Sequence, residues 1–387
     1  MSRSLTVQSL YATKKLKVSF ENESVGTLAL TDDALVAFEY SDDWLLRGFS
    51  LNSLSLPLEK RVFIPRMDPF EGLFGIFNDS IPDGWGLLLM DRILRERGIE
   101  PESMPRIARL PLVGSSGMGA LSYKPEIDLH MHPKYVDLDR IAQECAAVQE
   151  TNDVMDLDEL FTLGGSSGGA RPKILTDVEG EPWIIKFPSS NDDADAGLME
   201  YEYSLAAKTI GIEMPETRLF PSRNCPGYYG VKRFDREALG KEVQRIHMAS
   251  VSALLETSHR IPNLEYTTIA KLVLKLTSDL DEVLKLFRLM CFNVLAHNQD
   301  DHSKNFAFIH KRQNNSWKLS PAFDLTYSTG MMAEHATTVA GKGKDISRDD
   351  LVECGVGMGL SSRVCRKEVV SIEEVAVPLA EKWKKSQ

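Results

Sequence analysis

Hydrophobic and polar positions alternate in two short runs near the start of the chain, Lys17–Glu21 and Val25–Leu30, on either side of a charged turn. A period of two puts successive side chains on opposite faces, which predicts a β-hairpin. Further along the period changes. Across Asp83–Arg97 the apolar residues Leu87, Met90, Ile93 and Leu94 recur at helical spacing, with Asp83 placed to cap the element and Gly98 to stop it. Leu112–Tyr123 is rich in Gly and Ser and ends in a strand, and the polar, His-bearing stretch Glu126–Lys134 reads as a boundary.

From about residue 135 to 245 the pattern is again mixed. Asp153–Leu163 reads as a short acidic helix, followed by the glycine-rich GGSSGGARPK at Gly164–Lys173. Strands are expected at Lys173–Thr176 and Trp183–Phe187 around the turn signal EGEP, a helix at Met199–Gly211, and further strands at Arg218–Phe220 and Tyr228–Phe234. From 246 onward the chain is mostly helical, with Leu280–Leu295 strongly periodic and no internal repeat. The expected fold class is α+β, in segments 1–125, 135–245 and 246–387.

Composition narrows the function classes. A length of 387 residues allows about two to three domains, and 43% hydrophobic with 26% charged residues is ordinary for a globular chain. The balance of 45 Lys+Arg against 56 Asp+Glu leaves a net charge of −11. That counts against unaided binding to nucleic acid or to an anionic membrane, which both need a basic surface, although a local basic groove is not excluded. Cys145, Cys225, Cys291, Cys354 and Cys365 are odd in number and contain no C-x-x-C pair, so neither a disulfide framework nor a structural zinc site is expected. The N-terminus has no apolar run of signal-peptide length, and no stretch of 18 apolar residues occurs. A soluble, cytoplasmic protein without a membrane partner is the expectation.

The chemistry concentrates in HNQDDHSKNFAFIH, His297 to His310, which puts two Asp, two His and a Lys into nine residues directly after an apolar helix. A polar helix end and turn would be the plain reading. Spacing argues for more: Asp300 and Asn305 stand five apart, as in the D-x-x-x-x-N of phosphotransferase catalytic loops, where the Asp takes the proton of the attacking hydroxyl and the Asn holds Mg²⁺. In SPAFDLTYS, Asp324 follows 19 residues after Asn305, across an expected hairpin (FAFIH, then SWKLS), and supplies the second oxygen ligand such an ion needs. Lys186, in the apolar strand WIIKF, needs an anionic partner if it faces inward, and a nucleotide phosphate with Glu200 or Glu202 of the following helix would serve. The loop GGSSGGARPK can present backbone N–H groups to phosphate, but it is neither a Walker A sequence nor G-x-G-x-x-G. His130 and His132 read as surface strand, not as metal ligands. His297 and His302 are spaced wrongly for H-E-x-x-H, and Ser115 and Ser116 lack a nucleophile-elbow setting.

Glycine loop, strand Lys, helix Glu, D-x-x-x-x-N and late Asp occur in that order, and the chain resembles a kinase of the HipA family, the bacterial toxin kinases. The resemblance spans nearly the whole length. YSDDWLLRGFSLNSLSLPL, FGIFNDSIPDGW and VGSSGMGALSY are similar to the family's N-terminal domain, and GGSSGGARPK to its phosphate loop. WIIKF, MEYEYSLAAKTIGI, VKRFDR, HNQDDHSKN, SPAFDL and TTVAGKGKDISRDDL resemble, in turn, the nucleotide Lys strand, the helix after it, the hinge strand, the catalytic and metal motifs and a following segment. The resemblance implies a protein-kinase-like two-lobed fold, with an N-terminal α/β subdomain, a nucleotide-binding lobe and a mostly helical C-terminal lobe.

It also implies the roles. Asp300 would be the catalytic base, Asn305 and Asp324 the Mg²⁺ ligands, and Lys186, partnered by Glu200, the phosphate-binding Lys. Lys232–Phe234 would line the adenine, with Asp235 near the ribose. Ser166, Ser167, Gly168, Gly169, His302 and Lys304 would complete the ATP site. Ser166 matches the serine that family members autophosphorylate, with Ser167 its rival; about two added negative charges there would repel ATP and unseat the loop. The metal motif reads F-D-L, not D-F-G, so the activation-loop logic of eukaryotic kinases does not carry over. The expected activity is transfer of the ATP γ-phosphoryl group to a protein Ser or Thr. The expected partner is a small helix-turn-helix antitoxin that makes any DNA contact. Two rival readings are a catalytically silent, antitoxin-binding corepressor and a kinase of a small molecule or lipid headgroup. Four intact catalytic positions argue against the first, and the acidic balance argues against a membrane substrate.

Overall fold

The computed structural model describes residues 10, 12–127, 137–150, 157–239 and 242–384, the side chains of 238, 239 and 242 excepted. The fold is α+β with mixed sheets, in two compact units. One comprises 1–194, 220–249 and 253–257; the other comprises 195–219, 250–252 and 258–387. His130 and His132 lie outside the described residues, as does the start of the Asp153–Leu163 helix.

In the first unit, β1 (Lys15–Phe20) and β2 (Glu23–Leu30) form the hairpin that the alternation predicts. Leu16, Val18 and Phe20 are buried while Lys15 and Lys17 face solvent. With β3 (Val36–Tyr40), β4 (Val62–Phe63) and β5 (Leu121–Lys124) they make an antiparallel sheet of order β4-β3-β2-β1-β5. The longer helices of this unit are α1 (Gly84–Glu96), α2 (Leu138–Glu150) and α3 (Leu157–Gly164). The buried stripe of α1 runs through Trp85, Leu89, Met90, Ile93 and Leu94, so Leu89 lies inside where the periodicity pointed to Leu87, which is half-buried. This stripe meets Cys145, Leu160, Phe161, Ile174 and Ile185 in one apolar core. β6 (Lys173–Val178) and β7 (Glu181–Lys186) pair across a turn at Glu179 and Gly180, both at positive φ, and β8 (Tyr228–Lys232) pairs with β7. A second hairpin, β9 (Arg236–Leu239) with β10 (Glu242–Arg245), follows.

The second unit is mostly helical. α4 (Ala196–Thr209) is followed by Gly211.

 Its φ is 76°, a conformation that residues with a Cβ rarely adopt, and it turns the chain out of the helix. α5 (Tyr266–Thr277), α6 (Leu280–Leu295), α7 (Arg348–Gly357) and α8 (Ser362–Lys384) follow along the chain. Asp279 caps α6 by accepting from Asp281 N at 2.8 Å. α6 buries Val283, Leu286, Phe287 and Met290, and Arg288 pins it to α8 through a two-point ion pair with Glu368 at 2.7 and 2.9 Å. The expected FAFIH–SWKLS hairpin is present as β11 (Ala307–Lys311) and β12 (Ser316–Leu319), in register Phe308 to Leu319. Among the described residues no helix is long and apolar enough to cross a membrane.

Candidate active site

In the second unit the polar stretch after α6 is a tightly bonded loop. His297 turns the chain at φ 58, and the D-x-x-x-x-N spacing then closes into a ring. Asn305 Nδ2 donates to the Asp300 carbonyl at 2.7 Å, and Asn305 N donates to the His302 carbonyl at 2.9 Å. The Asp300 side chain remains 63% exposed. Lys304 N donates to His302 Nδ1 at 3.2 Å, so a neutral His302 carries its proton on Nε2, which lies 3.9 Å from the Asp300 carboxylate. Lys304 and Asn305 are half-buried.

The segment after Asp324 is zipped to this loop by Ser328. Its N donates to the His297 carbonyl at 3.0 Å, its carbonyl accepts from Gln299 N at 3.2 Å, and its hydroxyl accepts from Asp300 N at 3.1 Å. The same hydroxyl donates to Asn298 Oδ1 at 3.0 Å. From there the bonds run inward: Asn298 Nδ2 to Asn293 Oδ1 at 3.0 Å, Asn293 Nδ2 to the Tyr266 hydroxyl at 3.0 Å, and that hydroxyl to Asp301 Oδ2 at 2.7 Å. Asp301, 1% exposed, also bonds His335 Nδ1 at 3.0 Å and accepts from Thr337 N at 3.1 Å. Burial, and the neighbouring Asp301 charge, push the Tyr266 hydroxyl well above its ordinary pKa, so it stays a donor. Sequence reasoning reached Asp300 and Asn305 but not Ser328, Asn293, Tyr266 or Asp301. The one local signal was a polar Asn293 inside the apolar face of α6.

Asp324 is half-buried and sits at φ 60, in the left-handed region that residues other than glycine seldom adopt. Among the described residues no three His, Cys, Asp or Glu gather as a metal site. Asn305 and Asp324 do fit Mg²⁺: both offer hard oxygen, and the bond from Asn305 Nδ2 to Asp300 leaves the amide oxygen as the end for a cation. Glu200, on α4, is 2% exposed. Glu202 accepts from Lys382 and from Trp383 Nε1, which separates the two glutamates that the sequence left side by side.

In the first unit the glycine loop joins α3 to β6. Ser167 is 2% exposed, its hydroxyl donating to the Gly164 carbonyl; Ser166 is half-buried, its hydroxyl donating to the Ser116 carbonyl at 3.2 Å. Gly168 is exposed and Gly169 half-buried, with Gly169 at φ 90. Lys173 Nζ donates to the Gly168 carbonyl, and Arg171 grips Asp192 at 2.9 and 3.1 Å. Lys186, last residue of β7, is half-buried, its ammonium 5.6 Å from the centre of the Tyr229 ring.

Lys232 pairs with Glu181, and Phe234 is half-buried. Asp235 is 1% exposed and accepts from Arg233 at 2.9 and 2.8 Å, Arg236 at 2.7 Å and Gly119 N at 2.7 Å. Burial raises its pKa, but the two guanidinium charges outweigh that and hold it well below the usual carboxylate range. Arg236 is pushed down to about 9, chiefly by burial, against the pull of Asp235. Arg236 and Arg245 also bond the carbonyls of Gly117 and Gly119, so this knot ties VGSSGMGALSY to the strands after β8.

A family model described as the HipA-like C-terminal domain matches residues 165–383, more than half of the chain, and one described as the HipA N-terminal domain matches residues 16–124. A Haemophilus influenzae protein described as "Putative kinase" is 23% identical over 245 residues, covering 54% of this chain and 71% of its own length. "Putative kinase Y4mE" of Sinorhizobium fredii is 25% identical over 417 aligned positions, covering 95% of this chain and 92% of its own. Among solved structures, the HipA toxin–antitoxin system of Shewanella oneidensis MR-1, in complex with HipB and its operator DNA, superposes with a TM-score of 0.70 at 17% identity. It covers 96% of this chain and 91% of that one, and at this identity the likeness concerns the fold.

Proposed function

The chain belongs to the HipA family, and from that premise we propose that it is an ATP-dependent protein serine/threonine kinase. The observation that carries the reading is the closed Asp300–Asn305 ring, with an exposed carboxylate on a loop bonded to the segment that follows Asp324. A two-lobed kinase arrangement is part of the proposal, with an N-terminal subdomain over 1–125, a nucleotide lobe over 135–245 and a helical lobe over 246–387.

Asp300 takes the proton of the attacking Ser or Thr hydroxyl, and its backbone N–H bond to Ser328 holds its direction. Lys186 meets the phosphates, and His302, with its proton on Nε2, steadies the Asp300 carboxylate. Asn305 and Asp324 hold Mg²⁺, which supplies charge neutralisation on the phosphates when bound. The chain at Lys232–Phe234 lines the adenine, and Asp235 anchors that chain through its arginines near the ribose end. Ser166 is the autophosphorylation site; its greater exposure than Ser167 supports that choice. The HipB–DNA complex of the Shewanella relative supports a small helix-turn-helix antitoxin partner that carries the DNA contact, in the cytoplasm.

Incubation of the purified chain with Mg-ATP, followed by mass spectrometry, tests the reading. Phosphate is expected on Ser166, absent from Asp300→Asn and displaced by Ser166→Ala. No ATP turnover and no phosphate on Ser166 or Ser167 would refute it.

A further inference from the structure

The first turn of α1 lies outside the catalytic constellation, yet it carries the glycine loop. Asp83 stands at the N-cap of α1 without a side-chain cap hydrogen bond. A capping Asp ordinarily accepts from the second or third N–H of its helix. Here Oδ1 accepts instead from the N–H of Gly169, 86 residues away in sequence. The same residue is gripped from its other side, because Trp85 N donates to the Gly169 carbonyl at 2.9 Å.

Two glycines let the backbones touch. A Cβ on Gly84 would stand 2.4 Å from the Gly169 carbonyl oxygen, and one on Gly86 would stand 2.2 Å from that of Ser167. Lys173 holds the loop from a third direction through the Gly168 carbonyl. A segment with four glycines among Gly164–Gly169 has wide conformational freedom, and ordering it at the moment of binding weakens affinity. The contacts from Asp83 and Trp85 impose that order beforehand.

We propose that Asp83 is a positioning residue that latches the glycine loop in its nucleotide-receiving conformation, so that the N-terminal region sets the affinity of the loop for a nucleoside triphosphate. The proposal rests on the reading of this loop as the phosphate cradle.

Two measurements on the full chain test it: titration with a fluorescent ATP analogue in Mg²⁺, and hydrogen exchange of residues 165–170 without nucleotide. Asp83→Ala is expected to speed loop exchange and to weaken analogue binding about tenfold, the scale of a lost charge-assisted bond. Turnover at saturating ATP should stay within about twofold, because Asp83 acts on binding and not on the transferred group. Asp83→Asn keeps an oxygen that accepts from Gly169 N and should recover most of the affinity. Gly86→Ala favours the helix while its methyl displaces the loop, so it should repeat the Asp83→Ala effects even if that variant folds poorly. Unchanged loop exchange in Asp83→Ala and Gly86→Ala, or analogue binding as tight as wild type, overturns the latch. A wild-type chain that binds no nucleotide refutes the cradle reading instead, and the exchange comparison then still decides whether Asp83 holds the loop.

Discussion

Tyr266→Phe removes one oxygen from the chain of hydrogen bonds beneath Asp300 and leaves the packing volume almost unchanged. The hydroxyl is fully buried; it donates to Asp301 at 2.7 Å and accepts from Asn293 at 3.0 Å. The bond to the carboxylate is worth about 1.5–3 kcal/mol and the neutral one about 1 kcal/mol. Asp301 keeps His335 and Thr337 as partners, so the expected loss of stability is about 3 kcal/mol rather than collapse of the site. Tyr203→Phe is the matched control, since that hydroxyl is equally buried and donates to the Ala296 carbonyl at 2.6 Å, a neutral bond worth about 1 kcal/mol. Equilibrium urea unfolding of both variants against wild type gives the comparison. Phosphoryl transfer by Tyr266→Phe should also slow about tenfold, a barrier change of about 1.4 kcal/mol, with KM for ATP unchanged, because the network acts on the direction of Asp300. If Tyr266→Phe costs no more stability than Tyr203→Phe, the network reasoning is wrong.

Burial holds His310, on β11, down at about 4 against an ordinary 6.5, so the unfolded chain takes up its proton first. Stability is therefore lost as pH falls from 6.5 towards 4, by about 2 kcal/mol at pH 5, and His310→Phe should flatten that slope in urea midpoints measured from pH 7 to 5. Asp235→Ala leaves Arg233 and Arg236 buried without their counter-charge and should cost about 4 kcal/mol in urea unfolding; a loss below about 1 kcal/mol would contradict the knot. Asn305→Ala removes the proposed oxygen ligand and the bond to the Asp300 carbonyl, and should raise the Mg²⁺ concentration for half-maximal turnover about tenfold or more, read from a metal titration of activity.

Hairpins and helices were legible in this chain wherever one face is buried. Leu280–Leu295 has the same bounds in sequence and structure, because its apolar face and its Asp279 cap are both local. The β1–β2 hairpin shows its period of two for the same reason. On α1 the helical spacing picked out Leu87 and not Leu89, because spacing leaves the width of the buried stripe open; the packing of Trp85 and Leu89 decided it. The family resemblance put Ser166 ahead of Ser167, but the sequence carries no sign of their different environments: Ser167 is buried against the Gly164 carbonyl and Ser166 is half-buried.

The sequence by itself determined the order of the elements, the five-residue spacing of Asp300 and Asn305, the late Asp324 and the family these resemble, since each is written in near neighbours or in chain order. Only the tertiary structure decided which side chains support them. Asp301 meets Tyr266 and Thr337 across 35 and 36 residues, and Asp83 meets Gly169 across 86. Such pairs leave no period in the chain, because the energy of a buried hydrogen bond depends on where the backbone brings two groups together and not on the distance between them in sequence.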